Sequence, residues 1–117
     1  MKVLLIGHKG MLGSDLMAQF HYRHDIVGMD IEEMNITQAS ECRRAVDEVK
    51  PQLIINAAAY TNVDGCETAR EDCFAVNAEA VKNIAEACSG KNILIIHYST
   101  DYVFDGNGVR PYPEDEP

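Results

Sequence analysis

The sequence predicts an α/β fold built on a doubly wound parallel sheet. Four short runs of branched apolar residues alternate with stretches whose apolar residues recur at helical spacing. The first run, at residues 3–6, stops at a glycine, and two more glycines and a helical pattern follow it. A strand, a glycine-rich turn and a helix in this order form the geometry that holds a dinucleotide pyrophosphate. The 117 residues suit a single domain.

The glycine turn has the spacing G-x-x-G-x-x-G, at Gly7, Gly10 and Gly13. The first glycine lets the chain turn sharply, the second lets backbone approach a phosphate, and the third lets the helix lie close to the strand. The predicted apolar face of that helix consists of Leu12, Leu16, Met17 and Phe20. Strand-to-helix turns that bind nothing also use glycine, so the turn by itself leaves both interpretations open.

A second strand is predicted at residues 25–30 and ends in an acid, Asp30. Asp30 stands about 20 residues beyond the glycines, where a dinucleotide fold places the carboxylate that binds ribose hydroxyls. A solvated loop acid is the alternative. Lys9, inside the glycine turn, is a cation that could neutralise an adenosine 2′-phosphate. Asp30 favours NAD and Lys9 favours NADP, and the residues leave the choice open.

The middle of the chain predicts a further helix and strand. Thr37 is expected to cap a helix at residues 38–49, which Pro51 ends. The third strand, at residues 52–56, is apolar throughout, as a parallel strand covered on both faces should be. The alanines at 57–59 suit either a flat ligand lying against backbone or tight packing.

The clearest helical pattern covers residues 71–89, and Gly90 ends it as a C-cap glycine. Asn77 lies on its apolar stripe, where we expect a structural hydrogen bond to a neighbouring loop. The fourth strand is predicted at residues 92–97. A strand order of 3-2-1-4 would bring the hydroxyls of Ser99 and Thr100 beside the glycine turn, within reach of a carbonyl group being reduced. The same residues could equally form a simple hydroxyl-capped turn.

Composition and charge limit the kinds of partner that the protein can bind. A net charge of −9 argues against a nucleic-acid or anionic membrane surface. The N-terminal apolar run is too short for a signal peptide or a membrane span. Reduced cysteines, as expected below, indicate a cytoplasmic protein. The four cysteines lack C-x-x-C pairing and metal-ligand spacing, which predicts buried reduced thiols and no metal site. They are Cys42, Cys66, Cys73 and Cys88.

Three motifs together resemble one family. They are the glycine turn, N-A-A-A-Y-T-x-V-D at residues 56–64, and above all S-T-D-Y-V-F-D-G at residues 99–106. The whole chain resembles dTDP-4-dehydrorhamnose reductase, an extended short-chain dehydrogenase/reductase with a Rossmann-like fold. The resemblance implies reduction of the 4-keto group of a dTDP-4-dehydro-6-deoxy sugar, in dTDP-L-rhamnose synthesis, with NADPH or NADH as cofactor and a nucleotide sugar as substrate.

The resemblance also assigns residues. It implies pyrophosphate contacts at the helix start, a ribose contact at Asp30, adenine contacts at Asn35 and Ile36, and a nicotinamide contact at Tyr98. Asn35 stands where the family usually has an acid. The cofactor-binding set is Gly7, Gly10, Met11, Leu12, Gly13, Asp30, Asn35, Ile36, Ala59, Tyr60, Thr61 and Tyr98. Thr100 matches the catalytic hydroxyl, and Thr100 and Asp101 match residues beside the sugar.

The family's other catalytic residues form a Tyr-x-x-x-Lys pair further along the chain, and these 117 residues do not contain it. The tyrosine protonates the alkoxide that hydride transfer creates, which a threonine cannot do near neutral pH. We therefore expect residues 1–117 to be the N-terminal, NAD(P)-binding Rossmann domain of a reductase, inactive alone, with 106–117 as a loop or disordered tail. Without a fifth strand, the fourth-strand edge is expected to drive self-association.

Two alternatives stay open at this stage. The same motifs look like those of the non-catalytic β subunit of methionine adenosyltransferase, a regulatory protein with a reductase fold. Another nucleotide-sugar reductase or epimerase is also compatible with them, because the fold does not choose among sugars.

Overall fold

The computed structural model describes residues 1–115, and within them four strands form one parallel sheet. The strands are β1 (Lys2–Ile6), β2 (Asp25–Met29), β3 (Leu53–Asn56) and β4 (Leu94–His97). The helices are α1 (Met11–Phe20), α2 (Ala39–Val49), α3 (Val63–Thr68), α4 (Arg70–Phe74) and α5 (Ala80–Cys88). A π-helical turn (Ala75–Glu79) joins α4 to α5, and a 3-10 turn (Asp101–Val103) follows β4.

The sheet confirms the predicted α/β class but corrects the strand order, which is β2-β1-β3-β4 rather than 3-2-1-4. β3 pairs with the edge of β1 that β2 leaves free, and β4 pairs with β3. The reason is the side on which each crossover helix lies: α1 packs on one face and α2 on the other. Since crossovers between parallel strands are right-handed almost without exception, helices on opposite faces carry the chain across the sheet in opposite directions.

Alternate residues of the strands build two apolar cores, one on each face. On the first face, β1 and β3 pack against α2 and α5; its buried members include Leu4, Ile54, Cys42, Ala45, Ala80 and Ile84. On the second face the buried strand residues are Val3, Leu5, Leu53 and Ile55, and they contact Leu16, Met17 and Phe20 of α1. The sequence predicted this face of α1, except that Leu12 stays exposed.

The helix boundaries differ from the prediction in two places. Thr37 is not a cap: α2 begins at Ala39, and the Thr37 hydroxyl donates to Asn35 Oδ1 at 2.8 Å. The predicted helix at 71–89 exists as α4, the π-helical turn and α5 in succession. The short α3 before it was not predicted; Asn62 caps it by accepting from the Gly65 N–H at 2.9 Å.

The cysteines correct a second expectation. Cys66 and Cys73 form a disulfide, with Cα atoms 5.5 Å apart, because the unpredicted α3 places them side by side. Cys42 and Cys88 are free and buried, as expected, and burial raises the pKa of both thiols.

Residues 104–115 run in bends and turns, with the rings of Phe104 and Tyr112 stacked at a centroid distance of 4.3 Å. The last two residues of the predicted tail, 116 and 117, lie outside the described residues. Across residues 1–115, each helix is too short or too polar to cross a lipid bilayer.

Candidate functional site

A cleft of about 470 Å³ lies at the carboxyl ends of β1, β2 and β3. Its walls are the end of β1, the loop after β2, the segment after β3, and the α4 helix with the π-helical turn. Ligands of open α/β sheets bind at this edge, outside the carboxyl ends of the strands. The lining residues that the sequence predicted are Gly7, Asp30, Asn35, Ile36, Ala59 and Tyr60.

The glycine turn forms the floor of the cleft at the end of β1. Gly7 has a φ of 78°, and a Cβ there would lie 2.7 Å from the Ala58 nitrogen. A Cβ on Gly13 would overlap the Gly7 carbonyl oxygen and lie 2.7 Å from the Cα of His8. The sharp turn at Gly7 and the close packing at Gly13 therefore stand as predicted. At Gly10 a Cβ would meet only the Gly7 oxygen, at 3.3 Å.

Asp30 joins the end of β2 to the glycine turn. Its Oδ2 accepts from the Lys9 backbone N–H at 3.1 Å, and its Oδ1 accepts from the Ile31 N–H at 2.9 Å. The carboxylate is thereby fixed at the rim of the cleft. Each oxygen keeps a further lone pair that a ribose hydroxyl could use.

Lys9 does not point at an open phosphate site. Its Nζ lies 2.9 Å from Glu32 Oε2 and 3.5 Å from Glu33 Oε1. The hydrogen bond between Lys9 and Glu32 raises the pKa of Lys9 and lowers the pKa of Glu32. The hydrogen bond from the Asp30 N–H lowers the pKa of Glu33. Neither glutamate was predicted from the sequence, because their contact with Lys9 appears only once the glycine turn folds onto the loop after β2.

The loop after β2 forms one wall of the cleft. Asn35 Oδ1 accepts from the Thr37 N–H at 3.0 Å, and the Asn35 N–H donates to Glu41 Oε2 at 2.7 Å. Asn83, on α5, donates from Nδ2 to the carbonyl oxygens of Ile36 at 3.1 Å and Thr37 at 3.2 Å. The Asn83 side chain therefore fixes this wall through the backbone carbonyl groups of the wall.

Asn77 holds the opposite wall in the same way. Its Oδ1 accepts from the Tyr60 N–H at 2.8 Å, and its Nδ2 donates to the Tyr60 carbonyl oxygen at 3.1 Å. The predicted structural hydrogen bond to a neighbouring loop is confirmed. Asn83 was not predicted, although it lies six positions further along the same helical run and was a visible polar interruption in it.

The remaining predicted residues lie outside the cleft lining. Met11 and Leu12 are exposed at the start of α1, and Thr61 is exposed beside Tyr60. Tyr98, Thr100 and Asp101 follow β4, where Thr100 Oγ1 accepts from the Tyr102 N–H at 3.2 Å. The expectation that Ser99 and Thr100 emerge beside the glycine turn is wrong, because β3 lies between β1 and β4.

A buried amide links the ends of the last two strands. Asn56 is 1% exposed, and its Nδ2 lies 3.2 Å from His97 Nδ1. Its Oδ1 accepts from the Ala58 N–H at 3.2 Å. Asn56 therefore connects the segment that lines the cleft to the strand that carries Tyr98 and Thr100.

One known family matches the whole chain. The family described as RmlD substrate binding domain matches residues 1–117. The chain belongs to this family. A dTDP-4-dehydrorhamnose reductase of Burkholderia thailandensis is 38% identical over 117 residues, which are all of this chain and 39% of that protein. The resemblance stated from the motifs is thereby confirmed.

Solved structures of the family share the fold. The dTDP-4-dehydrorhamnose reductase ortholog of Clostridium acetobutylicum superposes with a TM-score of 0.94 at 34% identity, over all of this chain and 42% of that one. The Bacillus anthracis enzyme, solved in complex with NADP, has a TM-score of 0.86 at 34% identity, over 92% of this chain and 39% of that one. The chain thus spans about two fifths of the length of the relatives it matches.

Proposed function

We propose that this chain is the cofactor-binding part of an NAD(P)H-dependent reductase acting on the 4-keto group of a dTDP-4-dehydro-6-deoxy sugar. One observation carries the proposal: the order of groups along the carboxyl edge of the sheet. From β2 to β4 the strands end in the ribose-type acid Asp30, the glycine turn, the small residues after β3, and the hydroxyls after β4. The named relatives act on substrates of this class, which supports the assignment.

A dinucleotide laid along this edge meets suitable groups in the right order. Its adenosine ribose would bind Asp30, with Asn35 and Ile36 beside the adenine. Its pyrophosphate would lie over the glycine turn and the first N–H groups of α1, at residues 11–13, which have no partners inside the helix. Its nicotinamide would then reach the segment at residues 59–61 and Tyr98, roughly 10 Å along the sheet at about 4.8 Å per strand.

Thr100 and Asp101 stand at the end of this row, where a sugar would face the nicotinamide. The Thr100 hydroxyl lies 3.4 Å from Asp101 Oδ1 and caps the 3-10 turn. When its single proton turns from Asp101 to a ketone oxygen, this hydroxyl can donate there as hydride arrives and can stabilise the developing negative charge. The cofactor supplies the hydride when it is bound.

The charges at the ribose end favour NADH over NADPH. Two carboxylates, those of Glu32 and Glu33, pair with the ammonium group of Lys9, and a third, that of Asp30, accepts from the Lys9 backbone N–H. A 2′-phosphate placed there would meet net negative charge and would compete with Glu32 for Lys9. These ion pairs are exposed and individually weak, so the preference is expected to be modest.

Titration of the 117-residue chain with NADH and NADPH tests the proposal. We expect NADH to bind, and Asp30→Asn to weaken NADH about 10-fold, as for the loss of a charged hydrogen-bond acceptor. Asp25→Asn, at the exposed opposite end of β2, is the matched control and should bind normally. Glu32→Gln should raise NADPH affinity relative to NADH.

One outcome would count against the proposal, and another would contradict the expected inactivity of these residues alone. Absence of binding by either dinucleotide, in a folded protein, would remove the cofactor assignment. Turnover of a dTDP-4-keto sugar by the 117 residues alone would show that proton transfer does not need the Tyr-x-x-x-Lys pair that they lack.

A further inference from the structure

The disulfide between Cys66 and Cys73 takes no part in the proposed reductase chemistry. Both side chains are partly buried, at the surface where α3 and α4 meet. The half-cystine of α4 follows Asp72 directly, and Asp72 lines the cleft. Disulfides that thiols can reach exchange readily, whereas shielded structural disulfides resist reduction. This disulfide is only partly buried and adjoins the cleft.

One amide group connects the disulfide to the cleft. Asn77 Nδ2 lies 3.5 Å from Cys73 Sγ, and the same nitrogen donates to the Tyr60 carbonyl oxygen at 3.1 Å. From the α3 side, the Tyr60 hydroxyl packs near Gly65, where an added Cβ would lie 3.0 Å from it. Gly65 precedes Cys66 in the chain. Tyr60 thus contacts Asn77, which touches Cys73, and lies near Gly65, which precedes Cys66.

We propose that Cys66 and Cys73 form a reversible thiol–disulfide site, reduced by dithiols, whose oxidation state controls the order of the cleft wall at residues 60–74. In the oxidised state the disulfide ties α3 to α4 and holds Cys73 beside Asn77, so that Tyr60 is clamped. Reduction separates the two short helices and loosens Tyr60. The consequence for affinity rests on the proposed function, because the ligand concerned is a nicotinamide dinucleotide.

The exchange step is balanced by the reductant. A thiolate of a dithiol attacks one sulfur of the protein disulfide, forms a mixed disulfide and releases the other cysteine as a thiolate. The second thiol of the reductant then displaces the first cysteine. The protein disulfide gains two electrons and two protons, and the dithiol becomes its own cyclic disulfide.

The other two cysteines provide an internal reference. Cys42 and Cys88 are buried in the core between α2 and α5, and burial keeps both thiols protonated. They react slowly while the protein is folded. Alkylation under native conditions therefore reports on Cys66 and Cys73.

The test compares the chain before and after treatment with dithiothreitol. We expect two additional alkylated cysteines by intact mass, faster hydrogen exchange at the Tyr60 N–H and through α3, and NADH affinity lower by about 5-fold, a typical coupling between sites. The double variant Cys66→Ser, Cys73→Ser should match the reduced protein with or without dithiothreitol. Cys88→Ala should keep the full response to dithiothreitol.

Each outcome decides a part of the proposal. No gain of reactive thiols, or equal exchange at Tyr60 in both states, overturns it. Equal NADH affinity in both states overturns the coupling to the cleft. If thiols and exchange respond while neither state binds NADH, the redox site stands and the proposed function fails.

Discussion

The glycines of the first turn differ in what occupies the space around them. At Gly7 and Gly13, backbone atoms of other residues stand where a side chain would begin. At Gly10 that space is open apart from one carbonyl oxygen at 3.3 Å. Two of the three glycines therefore belong to the fold, and the third leaves room for a ligand to approach the backbone.

Alanine substitutions separate these roles. Gly13→Ala should lower the free energy of unfolding by about 1–3 kcal/mol, because the methyl group overlaps Gly7 and pushes α1 away from β1. Gly10→Ala should cost less than Gly13→Ala, because its methyl group would meet one backbone oxygen at 3.3 Å and nothing else nearby, yet it should weaken NADH binding. Urea unfolding and NADH titration measure the two effects. Equal destabilisation by both substitutions would contradict this account.

Single residues also show where sequence reasoning ends. The glycine spacing and Asp30 were readable because a turn and the end of a strand are local features. The pairing of Lys9 with Glu32 and Glu33 was not readable, because it joins two loops that meet only in the folded sheet.

At the scale of elements, one helical run positions both walls of the cleft. Asn77 in the π-helical turn holds Tyr60, and Asn83 on α5 holds the carbonyl oxygens of Ile36 and Thr37. Insertions of this kind into helices are frequent at functional sites. Here the turn supplies two cleft-lining residues, Ala75 and Val76, as well as the asparagine that fixes the facing loop.

Removing either asparagine should loosen one wall. Asn77→Ala and Asn83→Ala should each cost about 1 kcal/mol of stability, because backbone groups lose their partners, and each should weaken NADH binding. Lys82→Ala, exposed on the same run, is the matched control and should leave both quantities unchanged. Calorimetric titration with NADH, together with urea unfolding, gives the comparison. Full NADH affinity in both asparagine variants would rule out this positioning role.

The elements that sequence predicted are those with a strong apolar period. The apolar stripe from residue 71 to 89 predicted the helical run, and the four apolar runs predicted the strands of the sheet. The six-residue α3 carries a glycine and has no buried residue. Its formation depends on the Asn62 cap and on the link from Cys66 to Cys73. Neither feature produces a periodic pattern in the sequence.

For the whole molecule, the strand order decides what the site can do. The order β2-β1-β3-β4 lays the predicted binding groups out in a line, with the ribose acid at one end and Thr100 at the other. The predicted order would have put Thr100 beside the glycine turn, leaving no length for a dinucleotide between them. The face on which α2 packs sets this order, and patterns within α2 do not reveal that face.

The same topology leaves β4 bare on the face that α1 covers elsewhere. Leu94 and Ile96 lie beside Leu53 and Ile55 of that face, yet they are 63% and 41% exposed. An exposed apolar edge strand is a template for pairing with another chain. The second core thus continues outward into solvent at this edge.

We therefore expect the 117-residue chain to self-associate through β4. Sedimentation velocity should show dimers or larger species that grow with concentration, because pairing would bury Leu94 and Ile96 together with the free strand edge. Ile96→Lys should shift the distribution toward monomer, since a charge at a new apolar interface is costly to bury. Val109→Lys, at a position 99% exposed and distant in sequence, is the matched control and should leave the association intact. A monodisperse monomer with the melting temperature of an ordinary stable domain would contradict this prediction. The exposed edge of β4 would then not drive assembly.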